Sequence, residues 1–143
     1  IRLLRESNPR PIAGIRDLLE GLRGAGVAIA VASSSSMVFI KEVLSALSLE
    51  SYFSALVSGE DLARSKPEPD IFVKAAEELG VLPVDCVVIE DSENGVAAAK
   101  RAGMVCVGYR NGNAGNQDVS GADYVVDNFA GLDYAVLSSL WKR

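Results

Sequence analysis

Apolar positions along the chain fall into two alternating periods. Ile15, Leu18, Leu19 and Leu22 recur at helical spacing and predict a helix over 14–23, stopped by Gly24, Ala25 and Gly26. Residues 27–32 are then apolar without alternation, which predicts a strand covered on both faces. The same reading predicts a helix over 37–47, a short strand over 55–58, and a helix over 69–79 with Pro69 in its first turn and Gly80 as its stop. A strand over 86–89, a small-residue helix running through Ala102 and a strand over 104–108 follow. Residues 110–121, rich in Gly and Asn, read as a loop before a last strand at 124–126 and a last helix at 132–140. Residues 1–11 are polar and punctuated by proline, a loose or short helical lead-in.

Strands that alternate with helices at this spacing predict an α/β fold, a parallel sheet with helices on both faces. In such sheets ligands gather at the carboxyl ends of strands, where helix N-termini point unsatisfied N–H groups outward. Three chemical groups fall at those ends. Ser33, Ser34, Ser35 and Ser36 close the 27–32 strand; Lys66 precedes the helix that starts at Pro69; and Glu90 with Asp91 closes the 86–89 strand. A hydroxyl with backbone amides, an ammonium and a carboxylate pair are what a phosphoryl group with Mg2+ requires.

Each group also has a plain structural reading. Serines cap helices; a loop lysine is usually solvated; one acid at a helix start answers the helix dipole. Two acids at the end of a buried strand are more than a cap needs, and prolines on both sides of Glu68 restrain the backbone that carries Lys66. Ser35 and Ser36 suit the cap better than Ser33 and Ser34. Asn94 is within reach of the same edge from the first turn of its helix, while Arg110 and Asn111 follow a strand at that edge, where a plain loop is the favoured reading.

The 143 residues predict one domain with a real core. Lysine and arginine number 14 against 19 acids, for a net charge of −5 with no histidine and no basic cluster, which argues against a nucleic-acid or anionic-membrane surface. The longest apolar run, 27–32, is far short of the roughly 20 residues that cross a bilayer. Cys86 and Cys106 lie in apolar runs and read as buried free thiols, in keeping with a reducing cytoplasm.

The serine-terminated strand, then Lys66-Pro67-Glu68-Pro69-Asp70-Ile71-Phe72, then Glu90-Asp91-Ser92-Glu93-Asn94-Gly95 resemble, in order and separation, the second, third and fourth motifs of the haloacid dehalogenase-like phosphohydrolases. Within that family the resemblance is particularly to the branch with beta-phosphoglucomutase and the sugar-phosphate and phosphoglycolate phosphatases. The resemblance implies a three-layer Rossmann-like core over 14–143, with 1–13 a remnant of the connection from a cap domain. It implies Ser33 and Lys66 as catalytic, Ser33, Ser34 and Lys66 as phosphate-binding, Asp91 as a Mg2+ ligand, and Glu90 as a second ligand or an outer partner. The substrate implied is a small phosphorylated metabolite.

The family's first motif, Asp-x-Asp after an apolar strand, occurs nowhere in the sequence. It supplies the nucleophile and the acid/base, and its strand lies in the family between those ending in Ser33 and Asp91. The expectation is therefore a fragment of an enzyme, lacking that strand and most of the cap, and open to association with the missing segment or another chain. Phosphatase and sugar-phosphate mutase both remain open. So do a noncatalytic phosphate-binding or interaction protein and, less favoured, a receiver-type signalling domain, which would need an acidic pair where Ser33 stands.

Overall fold

A computed structural model describes residues 13–110 and 117–140. The elements are α1 (Ile15–Gly24), β1 (Ala30–Ser33), α2 (Met37–Ala46), β2 (Ala55–Ser58), α3 (Asp70–Leu79), β3 (Val87–Glu90), α4 (Glu93–Arg101), β4 (Val105–Tyr109), β5 (Tyr124–Val126) and α5 (Tyr134–Leu140). Short 3-10 turns at Glu50–Tyr52, Gly59–Asp61 and Pro83–Asp85 were not legible from periodicity, because three residues carry no period.

All strand pairs are parallel, and alternate strand residues enter two separate cores. Val31, Ile89 and Val107 pack with the buried faces of α1, α2 and α5. Ala32, Val88 and Cys106 pack instead with Ile71, Phe72 and Ala76 of α3 and Val96, Ala98 and Ala99 of α4. A strand with both faces covered needs apolar side chains at every position, which is why the runs do not alternate in sequence. The result is the three-layer α/β architecture.

The sheet is in two pieces. β1 pairs with β2, and β3 pairs with β4, which pairs with β5; among the described residues no strand joins β1 to β3. A cavity of about 200 Å3 is lined by Ala30 and Ala32 on one side and Val87 and Ile89 on the other, with Phe72 and Ala76 of α3 also in its wall.

Several expectations shift in detail. β1 begins at Ala30 rather than at residue 27, β3 and β4 each start and end one residue later than expected, and α5 begins at Tyr134. Pro69 is the residue before α3 rather than inside its first turn. Gly80 ends α3 in the left-handed conformation, φ 73°, as a C-terminal stop should. Cys106 is buried, but Cys86 is only half-buried, because it precedes β3 at the rim of the sheet. All but the last residue of the 1–13 segment expected as the cap connection, and Asn111, lie outside the described residues. No helix among the described residues is long and apolar enough to cross a membrane.

Candidate active site

The Lys66 ammonium reaches the ends of both sheet pieces. Its Nζ donates to the carbonyl of Ala32, the residue before Ser33, at 3.5 Å, and to Oε2 of Glu90 at 2.8 Å. It also lies 5.0 Å from the centre of the Phe72 ring, a cation–π contact from the first turn of α3. The Lys66 side chain is 7% exposed and that of Glu90 is not exposed at all. A solvated loop lysine is thereby excluded. The Lys66–Pro67 peptide is cis.

Glu90 ends β3 pointing into the protein, and donors meet both oxygens of its carboxylate. Oε2 takes Lys66; Oε1 accepts from the N–H of Asp91 at 3.0 Å, the N–H of Ser92 at 3.3 Å and the Ser92 hydroxyl at 3.1 Å. Burial pushes the carboxyl up, while the positive charges of the chain's N-terminus and of Lys66, with the hydrogen bonds from Lys66 and the Asp91 N–H, push it down, and Glu90 is held below the usual carboxylate range. The second acid at the strand end, unexplained by helix capping, is thus the counter-ion of the lysine. Capping of α4 falls to Ser92, whose Oγ accepts from the Gly95 N–H at 3.0 Å.

At the end of β1 the serines divide their work. Ser36 is the side-chain cap of α2, accepting from the Phe39 N–H at 3.2 Å. Ser33 Oγ accepts from the Ser35 N–H at 3.1 Å, which turns the chain sharply after the strand. The Ser35 carbonyl accepts from the buried Ser58 hydroxyl at 2.6 Å, and Glu60 accepts from the Met37 N–H at 2.9 Å, so the end of β2 braces this loop. Of the pair expected at Ser35 and Ser36, Ser36 is the side-chain cap of the helix.

Around this edge Arg64 binds Asp70 at 2.7 Å and Arg101 approaches Glu68 at 3.4 Å, clasping the loop that carries Lys66 against α3 and α4. Asp91 follows Glu90 at the half-buried rim. No three acidic or cysteine side chains are grouped as a metal cage among the described residues. Oxygen donors in small number suit Mg2+, which keeps several waters and is commonly held by one or two carboxylates together with substrate phosphate. Asn94 is exposed in the first turn of α4, and Arg110 pairs at 2.6 Å with Asp127.

The family profile of the haloacid dehalogenase-like hydrolases matches residues 2–109. The chain belongs to that family. It is 39% identical over 132 residues to beta-phosphoglucomutase of Bacillus subtilis, covering 92% of this chain and 56% of that protein. It is 38% identical over 104 residues to hexitol phosphatase B of Escherichia coli, covering 73% of this chain and 46% of that one. Among solved structures, CbbY of Rhodobacter sphaeroides in complex with phosphate superposes with a TM-score of 0.83 at 34% identity, covering 90% of this chain and 59% of that one. This haloacid dehalogenase-like chain therefore spans about half the length of the curated relatives it matches.

Sequence reasoning singled out Ser33, Lys66, Glu90 and Asp91 and did not name three neighbours of the Lys66–Glu90 pair. Phe72 beneath the ammonium, Ser92 as a donor to Glu90, and Gly95 beside Glu90 emerge only in three dimensions. Ser92 and Gly95 did carry a signal, standing at fixed positions of the Glu-Asp-Ser-x-x-Gly run.

Proposed function

We propose that this chain is the phosphate- and Mg2+-binding part of a phosphoryl-transfer enzyme, a phosphatase acting on small phosphorylated metabolites. The observation that carries the reading is one buried ammonium that touches both the residue before Ser33 and the residue before Asp91, on strands that do not pair with each other. In the whole protein an Asp-x-Asp strand enters between β1 and β3, and its first aspartate attacks phosphorus to give an aspartyl-phosphate while the second serves as acid and then base. The cavity lined by both strands favours this placement.

Each residue of this chain then has a task. The Ser33 hydroxyl and the Ser34 N–H donate to the phosphate oxygens, and the Lys66 charge offsets that of the phosphate and the attacking carboxylate. Asp91 holds Mg2+, and Glu90 stands behind it as the partner that keeps Lys66 in place. The metal supplies charge that lets carboxylate and phosphate approach. The phosphate bound by CbbY of Rhodobacter sphaeroides, and the xylulose-(1,5)bisphosphate bound by a mutant of it, support a phosphorylated small molecule as substrate.

The likeness to beta-phosphoglucomutase favours a second outcome, in which the phosphoryl group returns to another hydroxyl of the sugar. The whole protein should be offered a panel of hexose, pentose and hexitol phosphates with Mg2+ and with EDTA, and both free phosphate and isomerised sugar phosphate measured. Mg2+-dependent release of phosphate that vanishes in Lys66→Ala supports the phosphatase; isomerisation without release supports the mutase. Phosphate binding without turnover of any substrate would return the chain to a noncatalytic role.

A further inference from the structure

Gly95 sits inside the first turn of α4, where glycine is the weakest helix former apart from proline. Its backbone does not require glycine, since Gly95 is not among the positive-φ glycines. What requires it is space. A Cβ at position 95 would overlap Cγ, Cδ and Oε2 of Glu90. The Glu90 side chain has nowhere to go: it is 1% exposed, one oxygen is tied to Lys66 at 2.8 Å, and the other to the Ser92 hydroxyl at 3.1 Å. Ser92 in turn accepts from the Gly95 N–H at 3.0 Å, which closes a loop of contacts from Lys66 to Gly95 and back to Glu90.

We infer that Gly95 is a positioning residue: its bare Cα forms the compartment that holds the Glu90 carboxylate and, through it, fixes the Lys66 ammonium at the strand-end edge. Any side chain at 95 drives the carboxylate off Lys66, whose ammonium then loses its place. The consequence for catalysis rests on the role proposed for Lys66 above. The consequence for structure does not.

The whole protein carrying Gly95→Ala, Glu90→Ala or both is compared with a Gly21→Ala control, a helical glycine where an added methyl group meets nothing within 4 Å. Gly21→Ala should raise the melting temperature by about 2–4 °C, the ordinary gain of alanine over glycine in a helix. Gly95→Ala should lower it by about 5 °C or more. In the Glu90→Ala background, adding Gly95→Ala should lower it no further, because the overlapping atoms are gone. With p-nitrophenyl phosphate as probe, Gly95→Ala should lose about tenfold or more in kcat with KM within about twofold. A Gly95→Ala that gains stability as Gly21→Ala does, additive effects in the double variant, or an unchanged kcat overturns the inference. If Glu90→Ala does not fold, a crystal structure of Gly95→Ala decides: a Lys66 Nζ to Glu90 Oε2 separation beyond about 3.5 Å supports it, and an intact pair refutes it. If the unmutated protein turns over no phosphomonoester, the functional reading fails alone, and the melting cycle still judges Gly95.

Discussion

Lys66→Met removes the cation from a pair whose other member is fully enclosed, and its consequences follow from the distances. At 2.8 Å and an effective dielectric constant of about 20, the Lys66–Glu90 attraction is on the order of 6 kcal/mol before the cost of desolvating both groups. Removing one partner of a buried pair typically costs about 3–5 kcal/mol, because the other charge is left without compensation. Three donors from Asp91 and Ser92 still serve Oε1, so the lower end, about 3 kcal/mol at pH 7.5, is expected. Methionine preserves most of the aliphatic stem against Phe72, which confines the change to the charge.

The pH dependence separates this cause from a packing defect. In the unmutated protein Glu90 is held below its ordinary value, so its contribution is present above the ordinary carboxylate range and is lost only as pH falls through the depressed value. Without Lys66, burial dominates and raises the carboxyl above its unfolded value, so the folded variant binds the extra proton and its deficit shrinks as pH falls from 7.5 toward 4.5. Urea unfolding of the whole protein, followed by circular dichroism at several pH values, measures both curves. A gap that stays constant with pH, or one below about 1 kcal/mol at pH 7.5, would refute the buried-pair account.

Three further outcomes are expected. Asp91→Asn in the whole protein should raise the Mg2+ concentration for half-maximal turnover by about tenfold or more; an unchanged Mg2+ titration would remove Asp91 from the metal site. Burial pushes the Cys106 thiol up to about 12, and Cys86, half-buried, is raised less. A thiol reagent at pH 8 should therefore modify Cys86 slowly and Cys106 only after unfolding, and rapid modification of both in the native protein would contradict the burial. The 143 residues made alone should self-associate through the facing edges of β1 and β3, which no strand among the described residues joins, visible as concentration-dependent species in size-exclusion chromatography; a monomer with one cooperative melt would show that those edges are satisfied without another strand.

Much of the architecture was legible in the chain. The helical period of Ile15, Leu18, Leu19 and Leu22, the apolar run ending at Ser33, and the stop at Gly80 each encode an element through interactions within a few residues. The candidate site was legible in part, because Ser33, Lys66, Glu90 and Asp91 are chemically unusual where they stand. Exact strand starts were not, since 27–29 are apolar whether or not they join a ladder, and pairing begins where β2 lies alongside, at Ala30 with Ala55.

The sequence by itself determined the order of strands and helices, the placement of a hydroxyl, an ammonium and two acids at strand ends, and the absence of Asp-x-Asp, all of which depend on residue type and local spacing. Only the tertiary structure decided that Glu90 answers Lys66, that Gly95 is bare because Glu90 lies against it, and that Cys86 is half-buried. Those facts depend on which residues distant along the chain meet. Burial and electrostatics act through distances in space, and a linear pattern records those only where the fold imposes a repeat.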